Sequence, residues 1–582
     1  MSGLRAVRVV HAERISRGER WRNLAAPVVL IGLLSLVFGA FEAEAVPPSI
    51  TGIFPSGVQA GTSTTVKLTG KFEGADCKVW TDDPALVFSQ PDTAGHCTVM
   101  AGSLAARGIH LLRVVNREGA SVPFRLSVGV APVVPEKEPN DALEAAQPVT
   151  KLPAWIHGQL DKASDVDGYS VNLRKGIPVL ARLDAYALGS PVDCFLQVLN
   201  ARGAQLMTVS DARNLDPECV FTPPEDGAYV FRIAGFAHPP TADVAFAGGG
   251  GRIYQLTVSE APVANRVFPA AVAISGKTSV ELCGFGIKEE QKKVELSSFS
   301  EGGNEDVGLV MPALAQGPIS VVIARYPVQS FQALTEASGL DAQVPCVVGL
   351  RLMKGARNAS LRVPMKAGEK MRARFWSRSI GLGVEGRLSV IGPDEQQIAV
   401  NEFPADVFAE PSVSWSASKE GVYQLNVSSM FGGLESDREC VVELAAPAPS
   451  FAVTIPDGKP VRLEYGKTAT FKAKVALANG WKDPLVARIQ GLPEGVFAAD
   501  VPVPEKGGEF DIVLNAAVNA TPGTSPAVVS VWTKASPPIV ASAQYPVRGD
   551  TMRGSSDTDF RREIWVTVGP PGSAAVAEPE KK

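Results

Sequence analysis

The sequence predicts an all-β protein made of tandem antiparallel β-sandwiches. Of its 582 residues, 55 are Gly and 45 are Pro, which disfavour helix interiors and mark turns. Short runs in which apolar and polar residues alternate recur between these turn residues along most of the chain. With 45% hydrophobic and 20% charged residues, the composition is that of a chain that folds.

Six runs show the alternation most clearly and are predicted to be strands. They are Thr65–Thr69, Leu111–Val115, Tyr169–Leu173, Tyr229–Ile233, Tyr254–Val258 and Tyr423–Val427. The best helical signal is Asn140–Gln147, where Asn140 is placed to cap a short turn. No glycine-rich phosphate-binding pattern follows any of the strands, which disfavours parallel nucleotide-binding folds.

The N-terminus predicts a signal peptide over residues 1–45. Six Arg precede Leu24, an apolar stretch runs from Leu24 to Ala40, and the triplet Ala43–Ala45 is a small-x-small cleavage pattern. The alternative is an uncleaved anchor, because an apolar stretch of this length is at the short end of a membrane span. No later segment is long and apolar enough to cross a bilayer, so no integral membrane segment is expected after cleavage.

Seven cysteines in an exported chain raise the question of disulfides. The spacing suggests three pairs, Cys77 with Cys97, Cys194 with Cys219, and Cys346 with Cys440, and leaves Cys283 over. The alternative is buried free thiols, which compact domains also tolerate. Sequence alone does not fix the connectivity.

An internal repeat indicates a duplicated pair of modules. The segment Phe54–Gly70 aligns without a gap with Phe268–Gly284, at a constant offset of 214 residues. A weaker match follows each copy, between Val171–Gly176 and Val363–Gly368. Chance similarity of strand patterns is the alternative explanation.

Two family resemblances attach to these repeats. Phe54–Pro55, with Gly61, Val66–Leu68 and Gly70, is similar to the start of IPT/TIG immunoglobulin-like domains. A second set of landmarks resembles the bacterial pre-peptidase C-terminal (PPC) domain: Glu136–Asp141, His157–Gly158, Asp165–Tyr169, Gly176, Asp193, Asp226–Tyr229 and Tyr254–Val258. The PPC resemblance implies a secreted jelly-roll-like sandwich, often attached to proteases, with some members binding calcium or collagen.

These observations give a predicted domain order. It is a signal peptide (1–45), an IPT/TIG-like sandwich (46–130), a PPC-like sandwich (131–260), a second IPT-like sandwich (261–330), a degenerate PPC-like sandwich (331–446), an immunoglobulin-like sandwich (447–568) and a disordered tail (569–582).

The PPC resemblance implies one calcium site. Its candidate ligands are Glu136, Glu138, Asn140, Asp141, Asp165 and Asp167. Ca²⁺ prefers such hard oxygen ligands, and clustered carboxylates repel one another without a compensating cation. In the second copy Arg357 and Ala359 stand in the places of Asp165 and Asp167, so the site is expected only once. The alternative is an ordinary turn followed by a solvated strand entrance.

Catalytic patterns are scarce. After the signal peptide the chain has four histidines, His96, His110, His157 and His238, and none lies in a zinc-protease or nucleophile-elbow motif. The run Gly248–Gly251 predicts a hairpin connection, because no helix follows it to form a phosphate loop. The tryptophans are scattered singly and predict core packing. The protein is therefore expected not to be an enzyme.

The predicted function is non-catalytic binding, adhesion or scaffolding outside the cytoplasm, in the secreted or periplasmic fraction. The expected partner is an extracellular or envelope protein or polysaccharide; the net charge of -5 disfavours nucleic acid. One alternative is an accessory or substrate-binding subunit of a secreted peptidase or other hydrolase. Another is a hydrolase with an unrecognised site, which requires a histidine and a carboxylate to converge in a pocket.

Overall fold

A computed structural model describes residues 47–571 of the chain except 73–75, 214, 243–244, 300–304, 334–338, 402–409, 431, 433, 435, 537 and 549–557. The predicted signal peptide and residues 572–582 of the predicted tail lie outside the described residues. Within the described part, the protein consists of 47 strands, one short α-helix (Glu289–Lys292) and two 3₁₀ turns (Leu143–Ala145 and Arg378–Ile380). The all-β prediction is confirmed.

Residues 49–129 form two facing sheets, which we call sandwich 1. Its strands are β1 (Ser49–Phe54), β2 (Gly57–Gln59), β3 (Ser63–Lys71), β4 (Lys78–Thr81), β5 (Leu86–Phe88), β6 (His96–Ala101), β7 (Gly108–Asn116), β8 (Gly119–Ala120) and β9 (Phe124–Gly129). One sheet has the order β1-β3-β6-β5 and the other β2-β9-β7-β4, with β8 beside β7. Leu112 and Val114 of β7 are fully buried while Arg113 between them is not, as the alternation predicts.

Residues 133–259 form sandwich 2, with five strands in each sheet. Its strands are β10 (Val133–Pro135), β11 (Gln147–Val149), β12 (Ala154–Gln159), β13 (Asp167–Leu173), β14 (Val179–Asp184), β15 (Val192–Asn200), β16 (Gln205–Val209), β17 (Glu218–Phe221), β18 (Gly227–Ala237) and β19 (Ile253–Ser259). The sheet orders are β10-β12-β19-β14-β17 and β11-β13-β18-β15-β16. The core between the sheets contains the fully buried rings of Tyr169, Phe231 and Tyr254.

Residues 263–324 form sandwich 3, the smallest of the five. Its strands are β20 (Val263–Phe268), β21 (Ala271–Ala273), β22 (Lys277–Phe285), β23 (Lys293–Ser297), β24 (Val307–Val310) and β25 (Ile319–Ala324). They pair in the orders β20-β22-β23 and β21-β25-β24.

Residues 328–445 form sandwich 4. Its strands are β26 (Val328–Ala333), β27 (Leu340–Asp341), β28 (Cys346–Leu352), β29 (Asn358–Met365), β30 (Lys370–Trp376), β31 (Gly386–Ile391), β32 (Gln397–Asn401), β33 (Ser412–Ser416), β34 (Gly421–Ser429) and β35 (Arg438–Ala445). The sheet orders are β26-β28-β35-β30-β33 and β27-β29-β34-β31-β32.

Residues 450–569 form sandwich 5. Its strands are β36 (Ser450–Thr454), β37 (Val461–Glu464), β38 (Thr468–Ala478), β39 (Leu485–Gln490), β40 (Val496–Phe497), β41 (Val501–Pro502), β42 (Gly508–Ala516), β43 (Gly523–Thr533), β44 (Val540–Ser542), β45 (Tyr545–Arg548), β46 (Thr558–Arg561) and β47 (Glu563–Gly569). The main sheets are β36-β38-β42-β40 and β37-β47-β43-β39-β41, with β44 beside β43 and β45 paired to β46.

The structure repeats where the sequence repeats. Sandwiches 2 and 4 have the same order of all ten strands, position for position. In sandwiches 1 and 3 the first long strand pair is bulged at the same place, between Ile50 and Gly52 and between Ala264 and Arg266. A Cβ on Gly70 or Gly284 would lie 2.1 or 2.0 Å from a backbone oxygen of the paired strand, so both bulges need glycine.

Two sequence expectations need correction. Within the described part of the chain, none of the seven cysteines forms a disulfide. In the pairing of β28 with β35, Cys346 lies opposite Leu444 and Cys440 lies opposite Leu350. The two cysteines are therefore offset by four residues along the strands, about 13 Å, which excludes a disulfide bond between them. Asn140 does not cap a helix either, because the 3₁₀ turn begins after Ala142 without a side-chain cap.

The sandwiches pack against one another through their sheet faces. Sandwich 1 covers one outer face of sandwich 2, where Ser56 Oγ lies 3.0 Å from His157 Nδ1 and Ser127 Oγ donates to Gln255 at 2.6 Å. Sandwich 3 covers the equivalent face of sandwich 4, with an apolar core of its own. That core contains Ala270, Ala271, Val322, Ala324, Val347, Trp376, Ile380, Leu382 and Val441. The duplication therefore includes the interface as well as the modules.

The first and last sandwiches are also in contact. Arg462 of sandwich 5 donates to the backbone oxygen of Glu118 at 3.0 Å and to its Oε2 at 2.9 Å. The rings of Trp80 and Trp565 meet edge to face with centroids 5.2 Å apart, and the Arg113 guanidinium lies 5.3 Å from the Trp565 ring centroid. Two tryptophans that are far apart in the sequence, Trp80 and Trp565, thus pair across two sandwiches.

Candidate cation site in the second sandwich

All six predicted ligands of sandwich 2 lie in one neighbourhood, which we call the acidic cluster. It is formed where the segment after β10 passes the entrance of β13. Glu136, Glu138 and Asp167 each bring an oxygen within 4.8 Å of the others, and we call them the inner trio. Glu138, Asp141 and Asp165 do the same and form the outer trio. Asn140 lies beside the inner trio, where its Nδ2 donates to Glu136 Oε1 at 3.0 Å.

The inner end of the inner trio lies against two buried tyrosines: Asp167 is buried and Glu136 is partly buried, whereas Glu138 is exposed. Tyr254 donates its hydroxyl hydrogen to Asp167 Oδ2 at 2.6 Å, and both Tyr254 and Tyr169 hydroxyls lie 3.2 Å from Glu136 Oε1. The backbone amide of Gln159 donates to Glu136 Oε2 at 2.7 Å. Burial, followed by the charge of Glu136, raises the pKa of Asp167 to about 10. These carboxylates therefore need either a shared proton or a cation to be stable together.

Two buried oxygens at this place have no hydrogen bond. Asp167 and Asn140 are both 0% exposed, and within the described part of the chain neither Asp167 Oδ1 nor Asn140 Oδ1 accepts a hydrogen bond. An unsatisfied buried polar group costs about 1–3 kcal/mol, and more when it is charged. Both residues lie beside Glu136, and both oxygens are of the kind that a cation binds.

The outer trio already holds a positive charge from the chain itself. Lys162 Nζ lies 2.9 Å from Asp141 Oδ1, 3.2 Å from Asp165 Oδ1 and 3.9 Å from Glu138 Oε1. The hydrogen bond to Asp141 and then that to Asp165 raise the pKa of Lys162. Lys162 was not among the residues that the sequence pointed to, although it stands only three residues before Asp165.

The glycine run supports the loop that carries Lys162. Gly248–Gly251 joins β18 to β19, and the amide of Gly249 donates to Leu160 O at 2.8 Å. A Cβ on Gly248 would lie 1.5 Å from Lys162 O, so only glycine fits against this backbone. The run is thus packed against the loop that carries Lys162. Its sequence did not indicate this structural role.

The donor set fits one divalent cation. Ca²⁺–oxygen distances are about 2.3–2.6 Å, so oxygens on opposite sides of one ion are about 5 Å apart. The oxygens of each trio lie within 4.8 Å of one another, so one ion can reach all three of them. Sandwich 4 differs at this place, because Ala359 is buried in its core and Arg357 is exposed. Among the described residues, both clusters of this kind lie in sandwich 2.

The histidines are engaged in structural contacts. His110 Nδ1 lies 2.9 Å from Asp82 Oδ1, and His96 Nδ1 lies 3.4 Å from Asp92 Oδ2. His157 does form a serine–histidine pair with Ser56, but both residues are 0% exposed and no substrate reaches them. Burial lowers the pKa of His157 to about 3, which makes it a poor general base near neutral pH.

Comparisons with known proteins give partial similarities. No family model matches the chain. A stretch of 167 residues is 33% identical to a probable subtilase-type serine protease of Deinococcus radiodurans, covering 27% of this chain and 21% of the protease. The chain thus spans about a fifth of the length of the curated relative that it matches.

The matches to solved structures are of low similarity. Immunoglobulin domains 1–4 of Sidekick-1 match 90% of this chain and 100% of their own, at 10% identity and a TM-score of 0.19. A glucan utilization locus protein of Bacteroides ovatus, SGBP-B, matches 67% of this chain and 71% of its own, at 9% identity and a TM-score of 0.12. The lysozyme inhibitor PliG of Aeromonas hydrophila matches 20% and 97%, at 13% identity and a TM-score of 0.14. Among the described residues, no helix is long and apolar enough to span a membrane.

Proposed function

We propose that this protein is a non-catalytic binding and scaffolding protein of the periplasm or extracellular space, with one calcium-stabilised sandwich. The observation that carries the proposal is the packing of the sandwiches, above all the contact of Arg462 and Trp565 in sandwich 5 with Glu118 and Trp80 in sandwich 1. Sandwiches fixed in this way hold their surface loops at constant spacing. Several weak contacts with one protein or polysaccharide then add through effective concentration.

The resemblances to IPT/TIG and PPC domains support the location and the binding role. The PPC resemblance implies a secreted protein, and the predicted signal peptide at residues 1–45 agrees with export. An envelope protein or polysaccharide is the partner that such modules suggest.

Calcium is the proposed ion of the acidic cluster. Glu136, Glu138 and Asp167 would hold it, with Asn140 Oδ1 as a further oxygen. The ion supplies positive charge that compensates the buried carboxylates. The chain itself brings the segment after β10 against the start of β13, and the ion would tie these two segments together.

A second candidate function is an accessory subunit of a secreted peptidase. The similarity to part of a subtilase-type protease favours it. In this case the sandwiches would position the peptidase or its substrate and would not cut the substrate themselves.

A capture experiment distinguishes the two. The full chain without residues 1–45 is immobilised and exposed separately to purified envelope polysaccharide and to the secreted proteins of the source organism. Retention of polysaccharide or of a structural envelope protein supports scaffolding, and retention of a peptidase supports the accessory role. Hydrolysis of a peptide or glycan by the purified chain alone would contradict both.

A further inference from the structure

We propose that Lys162 is a built-in competitor of the divalent cation, so that the cation binds only as the Lys162 ammonium leaves the outer trio. The inference rests on the calcium site of the proposed function and adds how that site is regulated. It makes Lys162 the residue that sets the cation affinity.

The first step is that the ammonium and the cation compete for the negative charge of one shared carboxylate, Glu138. Lys162 Nζ contacts Asp141, Asp165 and Glu138, and these three residues are one of the two groups whose oxygens are spaced for a metal ion. Glu138 belongs to both trios, so an ion in the inner trio is also a close neighbour of Nζ. Two positive charges a few ångströms apart repel strongly in a partly buried place.

The second step is that the ammonium satisfies only part of the cluster. Its ion pairs go to the outer trio, whereas Asp167 Oδ1 and Asn140 Oδ1 remain without a hydrogen bond among the described residues. Lys162 therefore compensates the negative charge of the outer trio and leaves the two buried oxygens of Asp167 and Asn140 for a cation. The chain is stable without the ion and binds it at a reduced affinity.

The third step is that the lysine side chain is free to move while its surroundings are held. The Lys162 side chain is 50% exposed, and that of Asp165 is 0% exposed. The Lys162 backbone is held against Gly248, where no Cβ fits. Displacement thus needs only rotation of the lysine side chain into solvent.

The test is calorimetric titration of Ca²⁺ into the full chain without residues 1–45. Replacement Lys162→Met removes the charge and keeps most of the side chain, and Lys162→Arg keeps the charge. The loss of the three ion pairs of Lys162, all partly exposed, predicts a roughly tenfold tighter Ca²⁺ affinity for Lys162→Met and little change for Lys162→Arg. Lys175→Met is the control, because Lys175 is an exposed lysine of the same sandwich outside the cluster.

The outcomes separate this inference from the proposed function. Binding by the wild type with no gain for Lys162→Met overturns the inference and leaves the calcium site standing. Binding only by Lys162→Met supports the inference and shows that the lysine closes the site in the wild type. Absence of binding in both, with circular dichroism showing folded protein, overturns the calcium site and the inference together. Adding Asp167→Asn to Lys162→Met should abolish the gain, which locates the ion at the inner trio.

Discussion

The contact between the first and last sandwiches predicts that a single substitution opens the molecule. Arg462 and Glu118 are well shielded, with side chains 17% and 10% exposed, and Arg462 makes two hydrogen bonds to Glu118. Replacing Arg462 by Met keeps the length of the side chain and leaves the Glu118 carboxylate with only the exposed Arg117, whose Nε lies 3.6 Å from Glu118 Oε1.

The cost is that of breaking a shielded ion pair. Removing one partner of a buried pair destabilises by about 3–5 kcal/mol, and the residual exposure here favours the lower end, about 3 kcal/mol. This shifts the ratio of open to closed molecules by roughly a hundredfold. The edge-to-face contact of Trp80 with Trp565 remains and retains only about 1 kcal/mol beyond its buried area.

Small-angle X-ray scattering and hydrogen exchange measure the opening. We expect a larger radius of gyration for Arg462→Met, and faster exchange in β8 and β37, while the exchange inside the core of sandwich 5 is unchanged. Arg488→Met is the matched control, because the pair of Arg488 with Asp500 is within sandwich 5 and is 44% and 42% exposed. An unchanged radius together with unchanged exchange for Arg462→Met would refute the reasoning.

Three further predictions concern sandwiches 1 and 2. Gly248→Ala should lower the melting temperature and weaken Ca²⁺ binding, because the added Cβ would lie 1.5 Å from Lys162 O and overpacking costs about 1–3 kcal/mol. Gly250→Ala is the control: a Cβ there has no atom within 4 Å, so neither the melting temperature nor Ca²⁺ binding should change. Calcium at a hundred times its Kd should stabilise the wild type by about 2.7 kcal/mol in chemical unfolding, and a chelator should reverse this; no shift would count against the site. Burial lowers the pKa of His110, but the hydrogen bonds to Asp82 and to a backbone oxygen outweigh it, so the folded pKa is raised. This stabilisation is complete below the unfolded pKa of 6.5 and is lost as pH rises through the folded pKa, so the stability advantage of wild type over His110→Asn should shrink from pH 5.5 to pH 8; a constant difference would contradict it.

The duplication has an energetic consequence for the whole chain. Each small sandwich covers an outer sheet face of the larger one that follows it, through Ser56 and His157 in the first pair and through Pro269 against Gly349 in the second. An isolated large sandwich would expose this face, so the docked pair is the unit that repeats. The proposed binding surfaces would then lie on loops and faces away from these contacts.

Local pattern was sufficient for the strands. The six alternating runs lie within β3, β7, β13, β18, β19 and β34, because alternation of apolar and polar residues directly encodes which face of a strand is buried. The family resemblance was sufficient to group the six candidate ligands, since four of them lie within residues 136–141 and the other two stand at the entrance of β13.

The contacts between residues far apart in the chain could not be predicted from the sequence. Tyr254 reaches Asp167 from 87 residues away, Gly248 packs on Lys162, and Trp80 meets Trp565 from the opposite end of the chain. The cysteines illustrate the same limit, because the pairing of Cys346 and Cys440 depends on strand register and not on spacing.

The sequence by itself therefore determined the all-β class, the duplicated order and the membership of the acidic cluster. Only the tertiary structure decided that the sandwiches pack against one another, that no disulfide joins the cysteines within the described part of the chain, and that Lys162 pairs with the outer trio. The physical reason is that alternation and turns act between neighbours in the chain, whereas register, interface packing and charge compensation depend on distances that folding alone sets.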